Sequence, residues 1–143
     1  MQNALIPELA VTDCRHSLQF YCDILGFSVL YQRPEEGFAM LALGEAQLMI
    51  DQIDIGRTFG IDDEPLVYPH GRGVNLQIAV EKVTPMATAL EAAGIALYLP
   101  LEDKWYRRGK FEIGQRQFVV PDPDGYLLRF FEPLGTRPGS RHY

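Results

Sequence analysis

An arginine stands among apolar residues in the segment QRQFVVPDPDGYLLRFFE, which runs from Gln115 to Glu132. Two apolar runs flank a hinge of Pro, Asp and Gly, and this predicts a β-hairpin that closes a cleft, with Arg129 on its second strand. A buried guanidinium is costly unless a carboxylate, a phosphate or a ligand pairs with it. We therefore expect Arg129 to pair internally with Glu112 or Glu132, or else to face a carbonyl group of a ligand.

The histidines and cysteines are not spaced for a metal or redox site. No i, i+4 histidine pair and no CxxC motif occurs. We interpret all three histidines, His16, His70 and His142, as surface residues. Cys14 and Cys22 fall in one predicted helix, about 12 Å apart along its axis, which is too far for a disulfide, and we interpret both as packing residues.

Composition limits the class of partner. A chain of 143 residues suits one domain or two small similar modules, and 47% hydrophobic residues exclude global disorder. No run of about 18 apolar residues predicts a membrane span, and the start MQNALIPELAV lacks the features of a secretory signal, so we expect a cytoplasmic protein. The net charge of −6 disfavours nucleic acid and favours a cationic ligand.

The first half of the chain has the pattern β-α-β-β-β. Asp13 is the predicted N-cap of a helix that Gly26 ends. The predicted strands are Leu5 to Val11, Phe27 to Gln32, Phe38 to Leu43 and Ala46 to Gln52, the last two joined by a tight turn at Gly44 and Glu45.

The second half repeats this order. Thr84 is the predicted cap of a helix with Pro85 at its first position, and Gly94 ends the helix. The predicted strands are Val74 to Val80, Ile95 to Leu99, Gln115 to Val120 and Tyr126 to Glu132. The end of the first strand and the glycine that ends the helix are 15 residues apart in the first half (Val11 to Gly26) and 14 in the second (Val80 to Gly94). This similar spacing indicates a duplicated module.

Three stretches are predicted to be irregular. Ile53 to Arg72 is rich in Gly, Pro and Asp and is interpreted as a linker. Pro100 to Gly114 is interpreted as a long functional or mobile loop, and Gly135 to Tyr143 as a frayed tail. The resulting organisation is one domain over residues 1–134, with module one at 4–52, the linker at 53–72, module two at 73–134 and a tail at 135–143.

The two modules, the helix segment DCRHSLQFYCDILGF and the closing GQRQFVVPDPDGYLLRFFE together resemble the vicinal oxygen chelate superfamily, from Leu5 to Pro133. That superfamily includes glyoxalase I, the extradiol dioxygenases, fosfomycin-modifying enzymes and the bleomycin resistance proteins. The resemblance implies an α+β fold in which two tandem βαβββ modules form curved mixed sheets, or half-barrels. It also implies a dimer in which the first strand is exchanged between subunits, an exchange that Pro7 could favour, although an edge-strand proline is the alternative.

Enzymes of the superfamily hold a divalent metal with four side chains, usually His, Glu or Gln. The corresponding positions here fall on Ile6, on Asn75, on Arg129 and near Met49 or Asp51. Ile6 cannot coordinate a metal, Asn75 is a weak donor, and Arg129 repels a cation. We therefore expect neither a metal nor any other cofactor, and no catalytic residue.

The resemblance is then closest to the metal-free bleomycin resistance proteins, which sequester the drug without altering it. Such a ligand requires aromatic faces, acceptors and negative potential. Trp105 stands in KWYRRGK, where no hydrophobic periodicity explains it, so we assign it to a ligand or an interface, with a loop anchor as the alternative. Core packing stays open as the role of Phe38. Simple solvation stays open for the carboxylates of Asp51 and Glu112. The predicted ligand-binding residues are Phe38, Asp51, Asn75, Trp105, Tyr106, Phe111, Glu112 and Arg129.

The function expected from the sequence is binding of a bleomycin-family antibiotic by a homodimer, with no nucleic-acid or membrane partner. Two alternatives stay open: a metal-dependent glyoxalase-like or dioxygenase-like enzyme with an atypical site, and a binder of another aromatic small molecule.

Overall fold

The structure is a computed structural model that describes residues 2–60 and 64–139. The chain divides into two compact units. The first consists of Met1–Gly73 with Asp122–Tyr126, and the second of Val74–Pro121 with the chain from Leu127 onward. His142 lies outside the described residues. No described helix is long and apolar enough to cross a bilayer.

The first unit is a four-stranded mixed sheet with one helix. Its strands are β1 (Glu8–Val11), β2 (Ser28–Arg33), β3 (Phe38–Leu43) and β4 (Ala46–Gln52), in the order β1-β4-β3-β2, with β1 parallel to β4 and the other pairs antiparallel. The helix α1 (Cys14–Leu18) continues as a π-helical turn over Gln19–Ile24, and a 3-10 turn covers Pro34–Glu36. As predicted, Asp13 caps α1 by accepting the backbone N–H groups of Arg15 and His16 at 3.0 and 3.3 Å.

The core of the first unit lies on one face of this sheet, which we call its core face. Leu9 and Val11 alternate with exposed or half-buried neighbours on β1, and Leu41 and Ile50 are fully buried on the adjacent strands. The α1 helix contacts β4, and Tyr21 on the following helical turn is fully buried. Because successive side chains of a strand point to opposite faces, the other face of this sheet carries a different set of residues.

The second unit repeats the arrangement. Its elements are β5 (Asn75–Ala79), α2 (Thr84–Ala92), β6 (Leu99–Arg108), β7 (Phe111–Pro121) and β8 (Leu127–Pro138), and the strand order is β5-β8-β7-β6, with β5 parallel to β8. The predicted α+β fold class of two similar modules is confirmed. The core face of this second sheet carries Phe118, Val120, Leu128 and Phe130, all fully buried.

Three sequence-based expectations are wrong in the second unit. Pro100 to Gly114 is not an irregular loop, because β6 and β7 form a hairpin through most of it, turning at Gly109 and Lys110. The chain is not frayed at Gly135 to Pro138, because these residues extend β8 and pair with β7. The strand predicted at Ile95 to Leu99 begins only at its last residue.

The cap of α2 also differs from the prediction. Val83, and not Thr84, occupies the N-cap position, and it has no side-chain cap bond. Its backbone N–H instead donates to the buried carboxylate of Glu132 at 3.1 Å, and Lys82 lies 3.7 Å from the same carboxylate. A side chain from β8 thus satisfies a donor that the local sequence leaves unpaired.

The segment Asp122–Tyr126, which we call the aspartate turn, is held inside the first unit by carboxylates. Asp122 accepts the backbone N–H groups of Asp124 and Tyr126 at 2.9 and 3.0 Å, and the Tyr21 hydroxyl donates to it at 2.7 Å. Asp124 in turn accepts the backbone N–H and the hydroxyl of Thr12. Burial raises the pKa of Asp122 to about 6 despite these hydrogen bonds.

A glycine and a histidine pack closely around this turn. Gly125 has a φ of +94°, and a Cβ placed there would lie 2.6 Å from Pro69, so only glycine fits. His70 is only 5% exposed, its Nδ1 lies 3.1 Å from the carbonyl oxygen of Ala10, and its ring packs edge-on against Tyr126. The interpretation of His70 as a surface residue is therefore wrong, whereas that of His16 is confirmed.

Candidate functional site

A cavity of about 420 Å³ opens on the first sheet, on the face opposite its core face. Phe38 on β3 is paired with Asp51 on β4 and with Arg33 at the end of β2, so these three side chains share that face. Glu8 on β1, Glu36 in the 3-10 turn and a second arginine, Arg57, complete the charged part of the wall. We call this cavity the acidic pocket; it is lined by Glu8, Arg33, Glu36, Phe38, Asp51, Ile55, Gly56, Arg57 and Phe59.

The carboxylates of the acidic pocket are held close to one another. Burial, followed by repulsion from Asp51, raises the pKa of Glu8. Burial and then repulsion from Glu36 raise the pKa of Asp51, while Arg33 acts in the opposite direction. Asp51 is 9% exposed, so its charge is little screened by solvent. Like charges held together in this way favour a bound cation.

The aromatic face in the acidic pocket is already covered by a cation. The guanidinium carbon of Arg33 lies 4.0 Å from the centre of the Phe38 ring, and Arg33 also pairs with Glu36. The Tyr31 ring lies 5.9 Å from that of Phe38. This arrangement shows that Phe38 can take a planar cation on its face, which is the geometry of a cation–π interaction.

The structure thus brings two predicted site residues, Phe38 and Asp51, into one pocket. It adds Glu8, Arg33 and Glu36, which the sequence reasoning missed. Glu8 could have been found, because the alternation of ELAV on β1 places it away from the core residues Leu9 and Val11. The contribution of Glu36 depends on a 3-10 turn that no pattern in the sequence indicates.

The second sheet carries polar side chains on the face opposite its core face. Arg129 on β8 is paired with Gln77 on β5 and with Val119 on β7, and Gln117 lies two residues from Val119 on the same side of β7. We call this surface the polar face; its members are Asn75, Gln77, Glu102, Tyr106, Gln115, Gln117 and Arg129. Gln77 is exposed and Arg129 is half-buried, whereas Gln117 is only 2% exposed.

A hydrogen-bonded chain crosses the polar face. The amide nitrogen of Gln117 donates to the Tyr106 hydroxyl at 2.7 Å and to the Glu102 carboxylate at 3.4 Å. Three polar atoms are buried there without a hydrogen-bond partner among the described residues: Oε1 of Gln115, Oε1 of Gln117 and Nε of Arg129. Buried polar atoms are nearly always paired in native proteins, so this concentration makes the polar face a second candidate site.

The predicted internal ion pairs of Arg129 are wrong. Glu112 pairs instead with Arg137 at 2.7 Å, and Glu132 binds at the start of α2. The physical reason is the period of two along the strand: Glu132 lies three residues from Arg129 and so projects from the opposite face. The other expectation, that Arg129 faces a ligand, stays a prediction.

Trp105 and Tyr106 were both predicted to contact the ligand, but neighbours in a strand face opposite sides. Tyr106 belongs to the polar face. The Trp105 ring covers the backbone of Gly114, where an added Cβ would lie 2.8 Å from three ring atoms, and the Arg137 guanidinium lies 4.1 Å above the ring. Glu112 shares the side of Trp105, through its ion pair with the same Arg137.

The two other predicted residues lie at the rims of the second sheet. Asn75 begins the edge strand β5 and is exposed. Phe111 is 57% exposed next to the β6–β7 turn, on the side of the sheet that carries Tyr106.

The four positions that correspond to metal ligands in the superfamily do not fit a divalent cation. Ile6 has no donor atom, and Arg129 brings a permanent positive charge. Asn75 has only a weak amide donor, which leaves Asp51 as the only carboxylate of the set. Within residues 2–60 and 64–139, no group of three or more His, Cys, Asp or Glu side chains could hold a metal ion.

Comparison with known proteins identifies related chains. A bleomycin resistance protein of Geobacillus stearothermophilus is 30% identical over 135 residues, which cover 90% of this chain and 96% of that protein. A lactoylglutathione lyase of Haemophilus influenzae is 28% identical over 136 residues, covering 92% and 93%. The crystal structure of TioX from Micromonospora sp. ML1 has the same fold, with a TM-score of 0.71, 24% identity, and coverage of 93% of this chain and 100% of that one.

The family model of the Glyoxalase/Bleomycin resistance protein/Dioxygenase superfamily matches residues 5–130. The two βαβββ units, with the first strand of each parallel to the last, agree with that match. The chain therefore belongs to the glyoxalase/bleomycin resistance protein/dioxygenase superfamily.

Proposed function

We propose that the protein binds a cationic, aromatic small molecule of the bleomycin family and sequesters it without chemical change. The observation that carries this proposal is the acidic pocket, in which carboxylates surround an aromatic ring that already holds a guanidinium. A drug with a positively charged tail and flat rings matches both features, because the carboxylates attract the charge and the ring stacks on a planar group. The relatives named bleomycin resistance protein support the same class of ligand.

A binder is favoured over a catalyst by the chemistry of the residues at the metal positions. An isoleucine and an arginine stand where enzymes of the superfamily need donor atoms. The protein holds no catalytic residue in this proposal, and its effect comes from lowering the concentration of free drug. The proposal includes a cytoplasmic homodimer, and the acidic net charge argues against nucleic acid as a partner.

Titration calorimetry with bleomycin tests the proposal. We expect about one drug per chain and a dissociation constant of about 1 µM or lower. Asp51→Asn should weaken binding about tenfold, because it removes a poorly screened charge from the pocket. The matched control is Asp23→Asn, which changes the net charge equally at an exposed position. Equal losses of affinity in the two variants, or no heat beyond that of dilution for the native protein, would refute the proposal.

A second candidate function is supported by the similarity to the lactoylglutathione lyase. It is a metal-dependent enzyme of the glyoxalase or dioxygenase type with an atypical ligand set. Elemental analysis after purification without chelators distinguishes it, because stoichiometric Ni, Zn, Mn or Fe would support the enzyme. A thermal-shift screen of dyes and antibiotics separates bleomycin from other aromatic ligands, since a ligand that binds the native state raises the melting temperature.

A further inference from the structure

The polar face of the second sheet carries an arrangement of donors and acceptors that the acidic pocket does not explain. Gln117 is oriented by its neighbours: a carboxylate only accepts hydrogen bonds, so the amide nitrogen of Gln117 must point towards Glu102. The same nitrogen donates to the Tyr106 hydroxyl. Both of its hydrogens are thereby used, and its Oε1 points elsewhere and lacks a partner in the described part of the chain.

The free acceptors and the free donor lie side by side. Gln115 and Gln117 are two residues apart on β7 and project from the same face, and each has an unpartnered Oε1. Arg129 is paired with Val119, so it is a diagonal neighbour of Gln117 across the β7–β8 pair, where side chains are about 7 Å apart. Its Nε–H is the unpartnered donor. A single small group can therefore bridge an acceptor and a donor.

The polar face is accessible from one side. Arg129 is half-buried, and the neighbouring Gln77 on the edge strand β5 is exposed, whereas Gln115 and Gln117 are 8% and 2% exposed. Arg129 as a residue is thus nearer to the solvent than the two glutamines, although its Nε is itself buried. A ligand group that enters from β5 meets Arg129 first.

The order of these groups selects a chemical class. A carboxylate would match Arg129 with one oxygen. Its second oxygen would face other acceptors, namely the Oε1 atoms of the two glutamines and the carboxylate of Glu102, and all of these repel it. An ammonium group would match the glutamines but would be repelled by Arg129. A neutral carboxamide has an oxygen that accepts and an N–H that donates, so it satisfies both ends. Lys104 also lies on this side of β6, paired with Gln115, but it is exposed at the sheet edge.

We propose that the polar face binds a neutral carboxamide group of the ligand, with the carbonyl oxygen at Arg129 and the N–H at the Oε1 of Gln117. This inference deepens the proposed function and rests on it, because the carboxamide is taken to belong to a ligand of the class proposed above. It assigns to Arg129 the recognition of an amide oxygen. It also provides partners for two of the three unpaired buried atoms, Nε of Arg129 and Oε1 of Gln117.

The test uses three small probes of one shape: benzamide, benzoate and benzamidine. The full-length, ¹⁵N-labelled protein is titrated with each, and the signals of the Arg129 Nε–H and of the Gln115 and Gln117 side-chain amides are followed by NMR. We expect benzamide to shift these signals, with a dissociation constant of about 1 to 10 mM, typical of a fragment of this size. Benzoate and benzamidine should bind about tenfold more weakly at these signals.

A matched pair of variants controls the assignment. Arg129→Met keeps the length of the side chain and removes the donor, so the benzamide shifts at Gln117 should fall about tenfold in affinity. Arg116→Met removes the same charge on the opposite face of the sheet, where Arg116 pairs with Asp103, and should leave the benzamide shifts unchanged. If Arg129→Met fails to fold, the comparison of the three probes on the native protein still decides.

The outcomes separate this inference from the proposed function. Absence of benzamide shifts at these signals, or equal or stronger binding of benzoate, overturns the carboxamide assignment, and the unpaired atoms are then hydrated by water only. Calorimetry with bleomycin is run on the same sample. Bleomycin binding without benzamide shifts refutes only this inference, whereas benzamide shifts without bleomycin binding support the carboxamide site and refute the antibiotic as its source.

Discussion

The stability of the first unit should increase as the pH falls from about 7 to about 4, because of Asp122 in the aspartate turn. Burial raises the pKa of this carboxyl group to about 6, against an ordinary value of 3.8. The folded protein therefore binds the proton more tightly than the unfolded chain does. Between these two values unfolding releases the proton, so acidification favours the folded state. The free energy of unfolding changes by about 1.4 kcal/mol per pH unit in this range, so the interval between the two pKa values corresponds to about 3 kcal/mol.

The replacement Asp122→Asn isolates this contribution. Other carboxyl groups titrate in both proteins, so the difference between their free energies of unfolding removes them. We expect the native protein to gain about 3 kcal/mol relative to Asp122→Asn between about pH 7.5 and pH 4. Urea denaturation at a series of pH values measures the two free energies. A difference that does not change with pH would refute the reasoning, as would a change of the opposite sign.

Tyr21→Phe tests the cause of the shift. The Tyr21 hydroxyl donates to the ionised carboxylate, and this hydrogen bond lowers the pKa of Asp122 against the larger effect of burial. Its removal should raise that pKa further, so the pH-dependent gain should begin at a higher pH than in the native protein. A curve for Asp23→Asn, which changes an exposed acid, should run parallel to that of the native protein.

Three further predictions concern the two sheets. Burial raises the pKa of Asp51, so the affinity for a cationic drug should fall on acidification, and the fall should begin at a higher pH than an ordinary carboxylate would give. In calorimetry, Asp51→Asn should flatten this pH dependence of the affinity. Arg33→Ala uncovers the ring of Phe38 and should raise the affinity for the same drug about tenfold; an unchanged or lower affinity would contradict the pocket. Gly114→Ala places a Cβ against the only tryptophan, Trp105, and should cost about 1 to 3 kcal/mol and shift its fluorescence emission, whereas unaltered emission would disprove the contact.

Local patterns were sufficient for most of the fold. The capping residue Asp13, the glycines that end the helices and the alternation of apolar residues are properties of a few neighbours in sequence, and they gave the element order of both units. The β6–β7 hairpin was missed because β6, with the sequence LPLEDKWYRR, has no regular alternation of apolar and polar residues. It is held instead by cross-strand pairs such as Asp103 with Arg116, which sequence distance conceals.

The site was predictable only in part, for a similar reason. Phe38 and Asp51 do line the acidic pocket, and their role in binding stays a prediction. The pairing of Arg129 depends on which face of a strand each glutamate occupies, and the positions of Glu112 and Glu132 were not distinguished. The acidic pocket brings Glu8 and Asp51 together from strands that are far apart in the chain. Such proximity follows from the parallel pairing of β1 with β4, a long-range feature that no local pattern contains.

The aspartate turn has a consequence for how such a protein can arise and be divided. Asp122–Tyr126 belongs to the first unit, although the strands on both sides of it belong to the second, so the chain passes between the units three times. A gene cut at the linker would not release two complete modules, since a fragment ending at Gly73 would leave the buried Tyr21 hydroxyl without its acceptor. The two halves show the duplication in their strand order, but one half can no longer take the place of the other. Recombination could replace the first half only with a module that still accommodates the aspartate turn.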